Sequence, residues 1–279
     1  SKICFESILM KEYILNPSAL SYLCYHCAYM KQNHDLYNSS ISAGITQTLD
    51  GIEKNYFLGD SSKIDKKLKG GVTIDPYNVS FFSKLLFDNK KRPFRIKGKG
   101  DAIIKFKDGT CGIIDYKTSK FQKKDKKDPF KEENLLKKIR EYDPQLHAYY
   151  LLYANLEIDK NFLEERYKEK YPSSKKESAS KNIETTLKRI NEISVLKPKI
   201  FGLVFIYPED YNFDNGIDVK FSHMFSEVKI DLEKFKKKVT NYLDIMHQTE
   251  PPEPNEKCCG IMHNFFYDKK KLLNKNNDE

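Results

Sequence analysis

The sequence predicts an α/β fold, a central mixed β-sheet flanked by helices, and three stretches carry that prediction. From Phe94 to Thr118 the text FRIKGKGDAIIKFKDGTCGIIDYKT alternates apolar and polar residues around Asp108-Gly109, the pattern of two strands joined by a tight turn. A second strand-like run follows at Ile200 to Tyr207, and another near Val219 to Ile230. Between and after these runs the period returns to that of amphipathic helices, at DPQLHAYYLLYANLE and at Leu232 to Met246. Strands interrupted by helices in this order build one mixed sheet with helices on its faces.

The elements are justified in chain order. PSALSYLCYHCAYMK, Pro17 to Lys31, has Ser18 as an N-cap and apolar residues at helical spacing, so one helix is expected there with Cys24 and Cys27 near its end. Another helix fits Ser42 to Phe57. Gly59 to Pro76 is rich in Lys, Gly, Ser and Asp and reads as a mobile connection, and Asn78 to Phe87 as a short helix. The second hairpin strand, Cys111 to Tyr116, is apolar enough to lie inside a sheet. Ser119 to Arg140 reads as a basic loop turning into a helix. A new helix is expected at Asp143, which caps it while Pro144 fills the first turn, where a missing N–H costs nothing. Gln145 and Tyr149, four apart, share one side of it. Asp159 to Pro198 reads as a helical excursion on the surface.

Forty-nine Lys and Arg against forty Asp and Glu leave a net charge of +9, which favours a polyanionic partner, although surface lysine is often only solvated. The hydrophobic fraction of 39% exceeds that of a disordered chain. No apolar run is long enough to cross a bilayer and no secretory start is visible, so a cytoplasmic, non-membrane protein is expected. Six cysteines in 279 residues suit reduced thiols or metal ligands better than a disulfide scaffold.

Asp101 and Asp115 fall at opposite ends of the hairpin, so pairing across the turn brings both carboxylates towards one sheet edge. Lys117, two residues after Asp115, points to the same face. Two carboxylates hold a hard divalent cation with water in the remaining positions, and a neighbouring ammonium steadies attacking water or phosphoryl charge. On spacing alone, a solvated strand with salt bridges accounts for these residues better than a metal site does.

GKGDAII, KDGTCGIIDYKTS and QLHAYY, in this order, resemble the RecB-type branch of the PD-(D/E)XK nucleases. That resemblance implies a restriction-endonuclease-like core and Mg2+- or Mn2+-dependent hydrolysis of DNA phosphodiester bonds. Asp101 and Asp115 would be metal ligands, with the Tyr116 carbonyl a further one. Lys117 would be the catalytic lysine, and Gln145 and Tyr149 groups that support the site or contact DNA. Asp50, on an upstream helix, stands where family members carry an additional ligand; an ordinary surface aspartate is the alternative.

The opening PSALSYLCYHCAYMK and the closing PPEPNEKCC are similar to those of a subgroup related to CRISPR-adaptation exonucleases. Its likeness implies an exonuclease-like enzyme of repair, recombination, defence or CRISPR adaptation, acting on single-stranded DNA or duplex ends with protein partners in a DNA-processing complex. It also implies that Cys24, Cys27, Cys258 and Cys259, with His263 or His26 as a substitute ligand, gather an iron-sulfur cluster or zinc; unliganded thiols are the alternative.

Two departures stand out. The closing cysteines are adjacent rather than spaced C-x-x-C, and the excursion before the next strand is long. Lys120, Lys123 and Lys124 would hold a phosphate backbone or form a merely solvated loop. The expected organisation is one domain over 1–267, with a helical N-terminal part (about 1–90), a core (about 91–155 and 199–247), a helical insertion (157–198), a Cys-containing segment (248–267) and a disordered tail (268–279). The competing functions are a catalytically silent clamp for nucleic acid or protein, and an RNA endonuclease.

Overall fold

A computed structural model of the chain describes residues 11–21, 24–35, 44–74, 80–118, 132–168, 176–212 and 218–254. Its larger sheet contains, in chain order, β2 (Gly59–Asp60), β3 (Val72–Ile74), β7 (Ala102–Lys105), β8 (Thr110–Thr118), β9 (Lys197–Asn212) and β10 (Asp218–Glu227). Their spatial order is β10-β9-β8-β7-β3-β2. Only the β8–β9 pair in it is parallel, so the sheet is mixed, as expected. A smaller sheet is built on β6 (Pro93–Gly98), flanked by β1 (Tyr13–Leu15), β4 (Phe81–Phe82) and β5 (Leu86–Phe87).

The strand period sorts side chains to the two faces of the large sheet. Cys111, Ile113, Leu203 and Phe205 face a core shared with α4 (Glu132–Ala154), α6 (Lys176–Ser194) and α7 (Leu232–Met246). Ile114, Tyr116, Val204 and Ile206 face the other way, onto Phe57 of α3 (Gly44–Phe57) and onto Ile64 and Leu68.

Several expectations need correction. The Pro17 to Lys31 helix appears as α1 (Pro17–Ser21) and α2 (Tyr25–His34), with Cys24 extended ahead of α2 (φ −94°, ψ 111°). Gly59 to Pro76 is not a bare connection: its described part adds two short strands, β3 and the outermost β2, and two 3-10 turns, with Leu68 buried. Around Phe81 to Phe87 there are two short strands instead of a helix. The hairpin starts at Ala102, because Phe94 to Gly98 belongs to the smaller sheet. Gly109 takes the positive φ (79°) its turn requires.

Helix α4 begins at Glu132 and runs through Pro144. Asp143 is therefore not its cap; its carbonyl instead accepts from the His147 ring at 2.7 Å, and His147 Nε2 accepts from the Asp231 amide at 2.7 Å. The excursion is helical, as α5 (Lys160–Lys168) and α6, yet it is not merely superficial: Leu163, Ile183, Ile190 and Ile193 are buried in the main core.

The N- and C-terminal described segments pack together. Tyr13 and Tyr29 hydroxyls donate to the carbonyls of Met246 (2.7 Å) and Gln248 (3.0 Å), and a His26 ring nitrogen lies 2.8 Å from the Pro252 carbonyl oxygen. Among the described residues no helix is long and apolar enough to cross a membrane.

Candidate active site

The site forms where β7 begins and β8 passes beneath α4. The last β7–β8 pair is Ala102 with Ile114, so Asp101 and Asp115 stand beside each other just beyond it. Asp101 Oδ2 accepts from the Tyr116 amide at 2.9 Å, which pins that carboxylate to β8. Gly100 permits this approach: a Cβ there would sit 2.8 Å from Ile113 Cγ2 and 3.2 Å from the Ile114 carbonyl oxygen. The Gly100 amide is held by the Tyr153 hydroxyl at 3.2 Å.

Asp115 and Lys117 project on the α4 side of β8, and α4 supplies their partners. Gln145 Nε2 donates to Asp115 Oδ1 (2.9 Å), while Gln145 Oε1 accepts from Lys117 Nζ (3.0 Å). The Tyr149 hydroxyl donates to Asp115 Oδ1 at 3.2 Å and lies 3.0 Å from Gln145 Nε2. Lys117 Nζ stands 2.5 Å from Asp115 Oδ2 and 4.5 Å from the centre of the Tyr142 ring. One amide therefore fixes the acid, the lysine and the tyrosine together.

Asp115 is 2% exposed. Burial first, and the Asp101 charge second, raise its pKa to about 7 against the opposing pull of Lys117. Burial and the same two carboxylates keep the Tyr149 hydroxyl protonated, well above its ordinary range.

Helix α3 closes the other side. Asp50, half exposed, pairs with Lys54 at 2.8 Å, and Lys54 also reaches Asp101 Oδ1 at 3.4 Å. Glu53, only 8% exposed, lies 3.4 Å from the Thr118 hydroxyl, and burial followed by the Asp50 charge raises its pKa. Of this helix the sequence pointed to Asp50 and not to Glu53 and Lys54, which follow it by three and four residues and meet Thr118 and Asp101 only in the fold.

The donor set of this corner fits a divalent ion. Asp115 Oδ2 is buried with the Lys117 ammonium as its partner, and Asp101 Oδ1 faces the Lys54 ammonium. Two adjacent carboxylate oxygens thus have cations as their company, and a hard-oxygen set of this kind suits Mg2+ or Mn2+. Among the described residues no three His, Cys, Asp or Glu side chains are grouped to hold a metal.

Of the sulfur ligands expected from sequence, Cys24 is buried and Cys27 half-buried, one turn apart at the start of α2. Cys258, Cys259 and His263 lie outside the described residues, as do Lys120, Lys123 and Lys124.

The family model described as PD-(D/E)XK nuclease superfamily matches residues 52–260. The chain belongs to this superfamily. The superfamily is one of metal-dependent nucleases with a restriction-endonuclease-like fold, and the mixed sheet and its helices are consistent with that fold. A solved structure described as "Crystal structure of SSO0001" is similar over 86% of this chain and 79% of that one, at 14% identity and a TM-score of 0.44. No curated protein matches the chain.

Proposed function

We propose that this PD-(D/E)XK protein hydrolyses DNA phosphodiester bonds in an exonuclease-like manner, with Mg2+ or Mn2+ held by Asp101, Asp115 and the Tyr116 carbonyl. The observation that carries the reading is the Gln145 amide, which bonds Asp115 and Lys117 at once and so sets an acid and an ammonium side by side in a buried corner. A bound divalent ion supplies a more acidic water and offsets charge on the phosphoryl oxygens. Lys117 orients the attacking water or donates to a phosphoryl oxygen, with Asp115 Oδ2 and Gln145 Oε1 restraining its ammonium. Gln145 and Tyr149 act as positioning residues, because their hydrogen bonds reach the acid and the lysine directly. On α3, Glu53 is better placed than Asp50 as a third acid, being buried at the end of β8 while Asp50 is committed to Lys54.

The cysteine site is supported by the contact of His26, which lies between Cys24 and Cys27 in sequence, with Pro252, which precedes Cys258 in sequence. Zinc or an iron-sulfur cluster there would staple the two ends. Metal analysis and a visible spectrum of anaerobically purified protein distinguish the two.

The function is tested by incubating single-stranded DNA, duplex DNA and RNA with the protein in one buffer containing Mn2+. Shortening of DNA, lost in Asp101→Ala and Asp115→Ala, is expected. Gel shifts of all three without shortening identify a clamp, and cutting confined to RNA identifies a ribonuclease.

A further inference from the structure

Beside the acid pair, on the α3 side of the sheet, lies a cavity of about 380 Å³. Ile52 and Tyr56 line it from α3, and Val219, Phe221 and His223 from alternate positions of β10, with Glu53 at its inner edge. Its wall carries exposed aromatic residues: Tyr56 is 60% exposed and Phe221 40%. Inside, Phe57 is buried, its ring stacked on Tyr116 and edge-on to His223, so the floor is rigid. Lys63, exposed, carries its ammonium 5.9 Å from the centre of the Tyr56 ring.

We propose that this cavity receives one unstacked nucleobase of the strand whose phosphodiester lies at Asp101 and Asp115; the proposal rests on the nuclease reading above. Three features select that occupant. The cavity adjoins the reacting corner, since Glu53 lines it and also meets Thr118, the residue after Lys117, while Ile206 in its wall pairs with Thr118 across β8 and β9. Two accessible rings offer π-faces, which bases of any identity stack upon. The exposed Lys63 ammonium, beside the Tyr56 ring, offers a cation to the phosphate next along.

A base can enter only if it has left its helix. The cavity therefore selects an unpaired strand or a frayed end over an intact duplex, and single-stranded nucleic acid is the substrate class this site is built for.

The test is fluorescence anisotropy in EDTA, so that binding is read without cutting. A labelled single-stranded oligonucleotide and a blunt hairpin are bound to the wild type, Tyr56→Ala and Phe221→Ala. An abasic nucleotide is then walked along the single strand. Both side chains are exposed, and unchanged thermal melting checks that the variants fold.

Each variant is expected to lose about five- to hundredfold in affinity for the single strand, the range of one aromatic–base stack, with hairpin binding unchanged. An abasic nucleotide at one position should cost the wild type a similar factor and cost the variants little more. Equal losses on strand and hairpin, or no sensitivity to the abasic position, overturns the proposal and leaves the cavity to an apolar segment of a protein partner. Metal-dependent cleavage is assayed beside it: abasic sensitivity without cleavage overturns the nuclease reading alone, and cleavage without abasic sensitivity overturns the base site alone.

Discussion

Asp115→Asn should abolish the pH dependence that Asp115 imposes on the metal-free protein. The folded carboxyl titrates near 7, against 3.8 for an ordinary aspartate, because burial and the Asp101 charge disfavour its ionised form. Between those two values the native state holds a proton that the unfolded chain has released. Stability therefore falls as pH rises through this window and levels off above about 7. At about 1.4 kcal/mol per pH unit, the loss between pH 5 and pH 8 from this one group is on the order of 3 kcal/mol. In a chain of this size that is a melting shift of about 5–10 °C.

Asparagine keeps an oxygen for Gln145 and Tyr149 but has no charge to bury. Melting of both proteins in EDTA at pH 5 and pH 8 should show the variant gaining on the wild type by that amount at the higher pH. The difference between the two proteins cancels the titrating groups that do not interact with Asp115. A gap independent of pH would refute the argument that Asp115 is held protonated by its surroundings. The same sign predicts that added Mn2+ stabilises the wild type more as pH rises through 7, since the ion must displace that proton, and stabilises the variant little.

Other expectations follow from the same contacts. Gln145→Leu should leave Asp115 and Lys117 without their shared partner and weaken metal binding about 10- to 100-fold, the usual effect of losing such a support, measured by calorimetry. Lys54→Met removes the ammonium 3.4 Å from Asp101 Oδ1; Mn2+ affinity should rise about two- to fivefold, the scale of a partly exposed ion pair, and an unchanged or weaker affinity would show that Lys54 does not compete with the ion. Arg92→Ala strands Asp88, whose side chain is fully buried, and cuts the Arg92 bonds to the Thr240 carbonyl and Asp244 that tie the smaller sheet to α7. About 3–5 kcal/mol of stability should be lost, read by denaturant unfolding, with the variant's remaining folded fraction still able to bind metal.

How legible the molecule was depends on element length and on how a motif is supported. β8 and β9 carry apolar runs, rich in isoleucine and phenylalanine, long enough to read as buried strands, and Leu232 to Met246 declares itself as α7 through its apolar stripe. Residues 59–74 hid β2 and β3 because two- and three-residue strands carry no readable period. Pro144 misled because proline favours a first helical turn. Here α4 is already under way at Glu132 and tolerates the missing donor, and Leu135, Ile139 and Tyr142 ahead of the proline were the pattern that could have shown it.

The acid pair and Lys117 were legible from spacing and resemblance, and the register brings the two acids together. Glu53 was not, since an acid on an amphipathic helix gives no sign that it will be buried against Thr118. The aromatic cavity was equally hidden, because Tyr56 and Phe221 are 165 residues apart and meet only when α3 lies across the end of β10.

The central claim is metal-dependent phosphodiester hydrolysis at Asp101, Asp115 and Lys117. End-labelled single-stranded and duplex DNA incubated with Mn2+, with Mg2+ and with EDTA, beside Lys117→Ala, tests it most directly. Cleavage with either metal, none in EDTA, and a loss of at least about 10²-fold in the variant are predicted; full turnover by Lys117→Ala, or binding without cutting under every condition, would contradict it.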